Sequence, residues 1–189
     1  MAEMVSTNQF KNGMHIELEG GTWRIIEFQH VKPGKGGAFV RTKVRNLKNG
    51  RTIDRRFRSG EKVDEADIQD NRMSYLNRDG ENLVFMDSQT FEQIPFSEAQ
   101  VGDAKEFLKE NLEVDVLFWR SKPINIELPP FIEAKITRCE PGIKGDTASN
   151  VTKPATIETG AIVQVPLFVK EGERIRVDTR TGEYVERVS

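Results

Sequence analysis

The sequence has very little cysteine and histidine, and it has no long apolar run. Its single cysteine, Cys139, has no partner for an internal disulfide, and the histidines His15 and His30 are too few to complete a metal-ligand cluster. No stretch approaches the roughly 18 to 20 apolar residues of a membrane-spanning helix, and the N-terminus lacks an apolar run of signal-peptide length. These absences predict a cytoplasmic protein with no metal, no cofactor and no membrane contact.

Charge is distributed unevenly along the chain. The formal net charge is only −2, yet residues 1–64 carry 13 Lys and Arg against 7 Asp and Glu. Residues 65–128 carry 6 against 14, and residues 129–189 carry 9 against 9. Such asymmetry suggests separate modules with different partners, and a basic first module is compatible with a polyanion.

Most of the chain has the alternating pattern of half-buried β-strands. In one strand the predicted faces are Val40, Thr42 and Val44 on one side and Arg41, Lys43 and Arg45 on the other. The pairs Asn49-Gly50, Asp79-Gly80 and Thr181-Gly182 predict turns between strands. Only the segment 97–112, SEAQVGDAKEFLKENL, indicates a helix, and Gly102 within it predicts that this helix is short.

The sequence divides into three modules. The charge changes sign in KVDEADIQD and two prolines interrupt ELPPFIEA, so we predict modules at 1–65, 66–128 and 129–189. Strand-rich modules of about 60 residues favour small barrels. Because neither boundary resembles a long flexible linker, we expect rigid, elongated packing of consecutive barrels. The sequence shows no strong apolar seam, which predicts a monomer.

No catalytic constellation is visible. The segment KPGKGG fails the phosphate-loop pattern, which needs four residues between a first glycine and Gly-Lys, then Ser or Thr, then a helix. Cys139 lies in a strand-like stretch, and the second half of the chain contains no histidine. The abundant carboxylates of the middle module are typical of a charged surface. We therefore predict that the protein is not an enzyme.

The segment HVKPGKGGAF, residues 30–39, places Lys35 in a loop with almost no other side chains. Pro33 stiffens the entry to the loop, and glycines let its backbone approach a partner closely. The glycines are Gly34, Gly36 and Gly37. The lysine amine is then the main protruding group, which suits a probe. The competing interpretation is a turn lysine without function.

The strands that follow this loop are strongly basic. Residues 28–58 contain ten Lys and Arg and a single acid, Asp54, with Phe39 and Phe57 interleaved. Cations on one strand face can neutralise successive phosphates, an attraction that is independent of sequence and weakens with salt. The segment therefore favours nucleic-acid binding, with a solvated basic face as the alternative.

Two long motifs resemble the bacterial elongation factor P family. HVKPGKGGAFVRTKVRNLKNG resembles the family's N-terminal module with its lysine-tipped loop, and KPATIETGAIVQVPLFVKEG resembles its C-terminal signature. The matching positions of the second motif are Lys153, Ala155, Gly160, Val163, Val165, Pro166, Val169 and Gly172. The tripeptide Gly145, Asp146 and Thr147 and the ending VDTRTGEYVERV are also similar to the family, so the resemblance runs from end to end.

The resemblance implies an all-β fold of three consecutive small β-barrels. An N-terminal KOW-like, SH3-like barrel would be followed by two OB-fold barrels in an elongated, tRNA-like shape. It also implies a function, because elongation factor P binds the ribosome beside peptidyl-tRNA and relieves stalling at consecutive prolines. Lys35 is then expected to reach toward the peptidyl-transferase centre along the acceptor end of that tRNA.

The resemblance extends to other residues. Contacts with tRNA or ribosomal RNA are expected from Lys32, Arg41, Lys43, Arg45, Tyr184 and Arg187. Gly145, Asp146 and Thr147 resemble a loop that approaches the small subunit and the codon region. The alternatives are that Tyr184 covers a barrel face and that Arg187 is solvated.

In many family members the loop lysine is extended by a modifying enzyme. For Lys35, lysylation, an aminoalcohol adduct and no modification are all open, whereas the lysine argues against the branch that glycosylates an arginine here. Two rival functions are a generic single-strand RNA-binding module and an enzyme. The first would stack bases on barrel aromatics, which are few beside cations in this sequence.

Overall fold

The computed structural model describes residues 2–142 and 151–189, and nearly all of their regular structure is β-strand, as predicted. The first sheet contains β1 (Met4–Ser6), β2 (His15–Leu18), β3 (Gly21–Val31), β4 (Phe39–Asn46), β5 (Thr52–Arg58) and β6 (Lys62–Glu65). The second contains β7 (Ile68–Asp79), β8 (Asn82–Met86), β9 (Gln93–Ser97), β10 (Glu113–Trp119) and β11 (Lys122–Glu127). The third contains β12 (Phe131–Cys139), β13 (Thr152–Ile157), β14 (Ile162–Pro166), β15 (Arg174–Asp178) and β16 (Glu183–Val188).

The strand orders are β1-β6-β2-β3-β4-β5, β11-β10-β7-β8-β9 and β14-β13-β12-β15-β16. All the pairings with a defined register are antiparallel, and short hairpins join β7 to β8 and β15 to β16 at the predicted turns. By packing, the described residues form two compact units. The first comprises Met1–Asn71, Ala99–Gly102 and Val116–Ile126, and the second comprises Arg72–Glu98, Asp103–Asp115 and Glu127–Ser189.

Helical structure is limited to short segments. A 3₁₀ helix covers Thr7–Gln9, the α-helix α1 covers Glu98–Val101, and a second 3₁₀ helix covers Gly102–Phe107. The predicted short helix within 97–112 is confirmed, whereas the 3₁₀ helix at Thr7–Gln9 was not predicted. Gly102 ends α1 because its φ of +66° lies in the left-handed region, which glycine enters without a steric penalty. No helix in the described part of the chain is long and apolar enough to cross a membrane.

The core of the first sheet explains the alternation in β4. Val40, Thr42 and Val44 are completely buried, whereas Arg41 and Arg45 are exposed on the opposite face. The apolar members of this core are Val5, Phe10, Ile16, Ile25, Val40, Val44, Phe57 and Val63. The predicted faces of β4 are therefore confirmed, and its cations are fixed on the surface by the burial of their neighbours.

The predicted Asn49-Gly50 turn connects β4 to β5. The side-chain oxygen of Asn46 accepts the backbone N–H groups of Lys48 and Asn49 at 2.9 and 3.1 Å, and the N–H of Gly50 donates to the Asn46 carbonyl at 2.9 Å. Asn46 thus nucleates the turn by local side-chain bonding. The register that follows places Phe39 opposite Arg58 and Lys43 opposite Asp54.

A small apolar cluster lies beside this turn within the first unit. It contains the buried Leu47, Leu117 and Ile124, with Ile68 and Trp119 packed against them. We call these five residues the joint cluster, because it connects the first sheet to β10 and β11.

Two polar contacts reinforce the joint cluster. The amide nitrogen of Asn125 donates to the carbonyls of Lys48 and Gln100, each at 3.1 Å, and its oxygen accepts the N–H of Ile126 at 2.8 Å. Arg120 also donates to both carboxylate oxygens of Glu17, at 3.3 and 3.2 Å. These bonds tie the β10–β11 hairpin to the β4–β5 turn and to β2.

The second unit has its own core in the third sheet. The residues of that core are Phe107, Ile132, Ala134, Ile136, Ala155, Ile157, Ala161, Val163, Val165, Val169, Ile175 and Val177. Beside it, the Lys109 ammonium donates to the Glu133 carbonyl at 2.6 Å and pairs with Glu158 at 3.2 Å. Although partial burial favours its protonated form, the N–H of Lys135 and the Lys109 ammonium hold the pKa of Glu158 below its usual range.

Candidate nucleic-acid interface

The Lys35 loop is the connection between β3 and β4. Val31 pairs with Phe39 across the hairpin, and the backbone bends sharply at residues 34–36. Gly36 has a φ of +101°, which a residue with a side chain rarely adopts, so glycine at this position is required by the turn. Lys35 is exposed, and it forms no ion pair within the part of the chain that the structure describes. The loop therefore presents one cation on a tight bend.

The root of the loop is held by three paired strands. The carbonyl of Ala38 accepts the N–H of Ser59 at 3.1 Å, which ties the end of the loop to the chain after β5. The Arg56 guanidinium lies 5.1 Å from the centre of the Phe39 ring, a cation–π contact on the exposed face. Lys35 thus projects from a hairpin whose root is bonded to a third strand, and Lys32 at the start of the loop is exposed.

The cations of β4 share one face, but two of them have acidic partners on neighbouring strands. Arg41 pairs with Asp54 at 3.3 Å, and Lys43 pairs with Glu27 at 2.5 Å. The hydrogen bond and the charge of Glu27 raise the pKa of Lys43. Exposed ion pairs of this kind contribute little free energy. A phosphate can therefore replace either carboxylate at small cost.

Arg56 is a candidate for contact with RNA that was not predicted from the sequence. It lies directly opposite Arg41 in the β4–β5 ladder, on the same exposed face, and like charges repel at that spacing. Its side chain instead lies over Phe39. The signal was present, because the Asn49-Gly50 turn and the alternation of RRFR place Arg56 diagonally across from Phe39 once the register is drawn.

The remaining predicted site residues lie in the second unit. Tyr184 is half-buried and packs against the core of the third sheet. Arg187 pairs with Glu173 at 3.3 Å, and its guanidinium lies 4.9 Å from the centre of the exposed Phe168 ring. Both are on β16, away in sequence from the Lys35 hairpin of the first unit. Gly145, Asp146 and Thr147 lie outside the described residues.

The described residues contain no group of three or more His, Cys, Asp or Glu side chains that could hold a metal ion. Cys139 is partly buried at the end of β12, where its thiol donates to the Val169 carbonyl at 3.8 Å.

A solved structure has a similar fold. The chain resembles a eukaryotic translation initiation factor 5A from Methanococcus jannaschii with a TM-score of 0.52 and 22% identity, over 66% of this chain and 94% of that chain. Three antiparallel sheets and a lysine-tipped hairpin, together with this likeness, define an all-β protein of the multi-barrel class.

Family models identify the particular kind. The KOW-like domain of elongation factor P matches residues 6–63, its OB domain matches 68–126, and its C-terminal domain matches 132–187. The elongation factor P of Pelotomaculum thermopropionicum is 53% identical over 98% of this chain and 100% of the relative. That of Desulfitobacterium hafniense is 51% identical over 97% and 100%. The chain belongs to the elongation factor P family and is a translation elongation factor.

The family assignment confirms the resemblance, including the KOW-like and OB domains that it implied. The module boundaries at 1–65, 66–128 and 129–189 stay predictions, as do the roles of the individual site residues.

Proposed function

We propose that this elongation factor binds the ribosome beside peptidyl-tRNA and stimulates peptide-bond formation where consecutive prolines stall synthesis. Lys35 reaches toward the peptidyl-transferase centre and orients the acceptor end of the tRNA. The observation that carries the proposal is the exposed Lys35 at the bend of a loop whose root is fixed by three paired strands. The factor works in the cytoplasm as a monomer and without a cofactor.

The contribution of Lys35 is positional. Holding the reacting ends of two tRNAs in a productive geometry removes part of the entropic barrier, and each ~1.4 kcal/mol removed gives about tenfold in rate. An ammonium on a flexible stem pairs with phosphate or ribose oxygens as a point charge. The bond-forming chemistry belongs to the ribosome, so the factor itself is not an enzyme.

The other cations of the hairpin attract the tRNA backbone and fix the position of the factor along it. Lys32, Arg41, Lys43 and Arg45 lie on the same hairpin as Lys35, so they are placed to contact the tRNA backbone while the loop reaches inward. Phosphates would displace the exposed partners of Arg41 and Lys43.

In the C-terminal module, Tyr184 and Arg187 are assigned to RNA contact. Gly145, Asp146 and Thr147 are assigned to the small-subunit and codon region, on the family resemblance alone.

A modifying enzyme that extends Lys35 would lengthen its reach and add hydrogen-bond donors. The exposed amine and the open space around Gly34 and Gly37 leave room for such an adduct. Intact-mass spectra of native and recombinant protein will show a mass difference, located at Lys35 by peptide mapping, if the lysine is modified. Identical masses exclude the modification.

The function is tested by the rate of synthesis through a triple-proline message in a reconstituted translation system. We expect native protein to stimulate synthesis and Lys35→Ala to lose about tenfold or more of that stimulation. Lys11→Ala, at another exposed lysine of the first unit, is the matched control and should behave as wild type. Comparing recombinant with native protein shows whether the modification is needed.

Two results would contradict the proposal. Unchanged stimulation by Lys35→Ala would remove the role of this residue. No stimulation by native protein, with ordinary messages translated normally, would remove the function and favour a generic RNA-binding protein.

A further inference from the structure

The loop between β8 and β9 presents an aromatic side chain in a strained conformation. Phe91 is 70% exposed, and its φ of +60° lies in the left-handed region. Bulky residues rarely adopt this conformation, which glycine adopts freely. Among the described residues with positive φ, Phe91 is the only aromatic one. The Phe91 side chain therefore contributes little buried apolar area to the fold, and its backbone conformation is unfavourable for a bulky residue.

The strain is maintained by a closed set of hydrogen bonds. The Asp87 carboxylate accepts the N–H groups of Gln89 and Thr90 at 2.7 and 3.1 Å. The N–H of Phe91 donates to the Asp87 carbonyl at 2.8 Å, and the N–H of Asp87 donates to the Glu92 carbonyl at 2.9 Å. The loop is therefore pre-organised, and Phe91 is held outward before any partner arrives. Strain that is fixed in this way is characteristic of functional positions.

The charge around Phe91 selects the kind of partner. The β8–β9 hairpin, residues 82–97, contains Asp87 and Glu92 in the same loop as Phe91 and no Lys or Arg. Phosphate would be repelled by this hairpin, whereas a basic protein surface would be attracted. Exposed, rigid aromatics are the residues that most often anchor protein–protein contacts in an apolar socket.

We propose that Phe91 is a docking anchor for a basic protein of the translation machinery. The ring enters an apolar socket, and Asp87 and Glu92, in the same loop, face the lysines and arginines that surround it. This inference rests on the proposed function for the identity of the machinery. It assigns to the central module a protein contact, distinct from the RNA contacts of the Lys35 hairpin.

The partner is identified by photocross-linking to purified ribosomes. A Phe91→p-benzoylphenylalanine variant should cross-link to a ribosomal protein, at a peptide rich in lysine and arginine. The same photoreactive residue at Ile162, which is 68% exposed in the second unit, is the control for non-specific labelling. Cross-linking to ribosomal RNA, to an acidic protein segment, or only as strongly as the Ile162 control would overturn the proposal.

A second variant tests binding against folding. Phe91→Gly relieves the backbone strain, so its melting temperature should equal or exceed that of wild type. On the triple-proline message, the factor concentration for half-maximal stimulation should rise about 30-fold, as for loss of an interface anchor, with the maximal rate unchanged. Ile162→Ser should leave both quantities unchanged.

The outcomes separate this inference from the proposed function. If wild-type protein does not stimulate synthesis, the proposed function fails, whereas a cross-link at position 91 is scored independently of stimulation. If wild type stimulates and Phe91→Gly has the same half-maximal concentration, the docking anchor is refuted. A lower melting temperature for Phe91→Gly would show that Phe91 stabilises the fold, which would refute the argument that this aromatic residue is present for binding.

Discussion

Replacing Asn125 by alanine should weaken the connection between the first sheet and the β10–β11 hairpin. The Asn125 side chain is nearly buried and makes three hydrogen bonds to backbone groups, those of Lys48, Gln100 and Ile126. Alanine leaves two carbonyls and one N–H without these partners. At about 1 kcal/mol net for each bond, with water replacing part of the loss, the free energy of unfolding should fall by about 2 to 3 kcal/mol.

The measurement is urea unfolding followed by tryptophan fluorescence. Trp119 belongs to the joint cluster, and a Trp23→Phe background makes it the only tryptophan in the chain. With a typical urea dependence, the loss corresponds to a midpoint lower by about 1 M. Asn77→Ala, at an exposed position of β7, is the control and should lie within about 0.5 kcal/mol of wild type.

A second substitution at this position sharpens the test. Asn125→Asp keeps an acceptor for the Ile126 N–H but turns a carboxylate toward the carbonyls of Lys48 and Gln100. It should destabilise the protein more than alanine does at neutral pH, since a nearly buried charge is left facing two acceptors. If Asn125→Ala stays within about 0.5 kcal/mol of wild type, or if aspartate is the milder change, the reasoning about the joint is refuted.

Two further predictions concern single groups. The buried Thr42 hydroxyl has no hydrogen-bond partner in the described part of the chain, so Thr42→Val should raise the free energy of unfolding by about 1 kcal/mol in urea titrations. Thr137→Val, which loses a bond to the Thr156 carbonyl, should give no such gain, and destabilisation by Thr42→Val would contradict the assignment. Hydrogen bonds from Arg180 lower the pKa of Asp178 from its ordinary 3.8 to about 2. Because the folded pKa is the lower one, this stabilisation is present above pH 4 and disappears as the pH falls toward 2; a carboxyl titration by NMR near 4 would contradict it.

The strands were predictable because their burial alternates locally. Val40 and Val44 are buried and Arg41 is exposed, as a period of two requires. The ion pairs on the same face were not predictable in this way. Glu27 and Asp54 belong to the strands on either side of β4, and only the register of three strands brings them to the cations.

The Lys35 loop was found from composition, since a lysine between glycines is visible in the sequence. The buried lysine of the C-terminal signature was not recognised as buried. Lys153 is only 7% exposed, and its ammonium donates to the Glu140 carbonyl at 2.7 Å, a contact between β13 and the end of β12. The strained backbone of Phe91 and the hydrogen bonds of Asn125 beside the joint cluster could not be predicted from the sequence either, because they depend on turn geometry and tertiary packing.

β4 connects the joint cluster at one end of the first sheet to the Lys35 loop at the other end. Its C-terminal end continues into Leu47 and Lys48 at the joint, and its N-terminal end supports the Lys35 loop. Eight extended residues span about 25 Å, so a rotation of only about 2° at the joint moves the tip by about 1 Å. Under the proposed function, in which Lys35 orients tRNA, a 1 Å error can reduce the rate by about 100-fold. The packing of the joint cluster, which resists such a rotation, therefore limits how accurately Lys35 can be positioned.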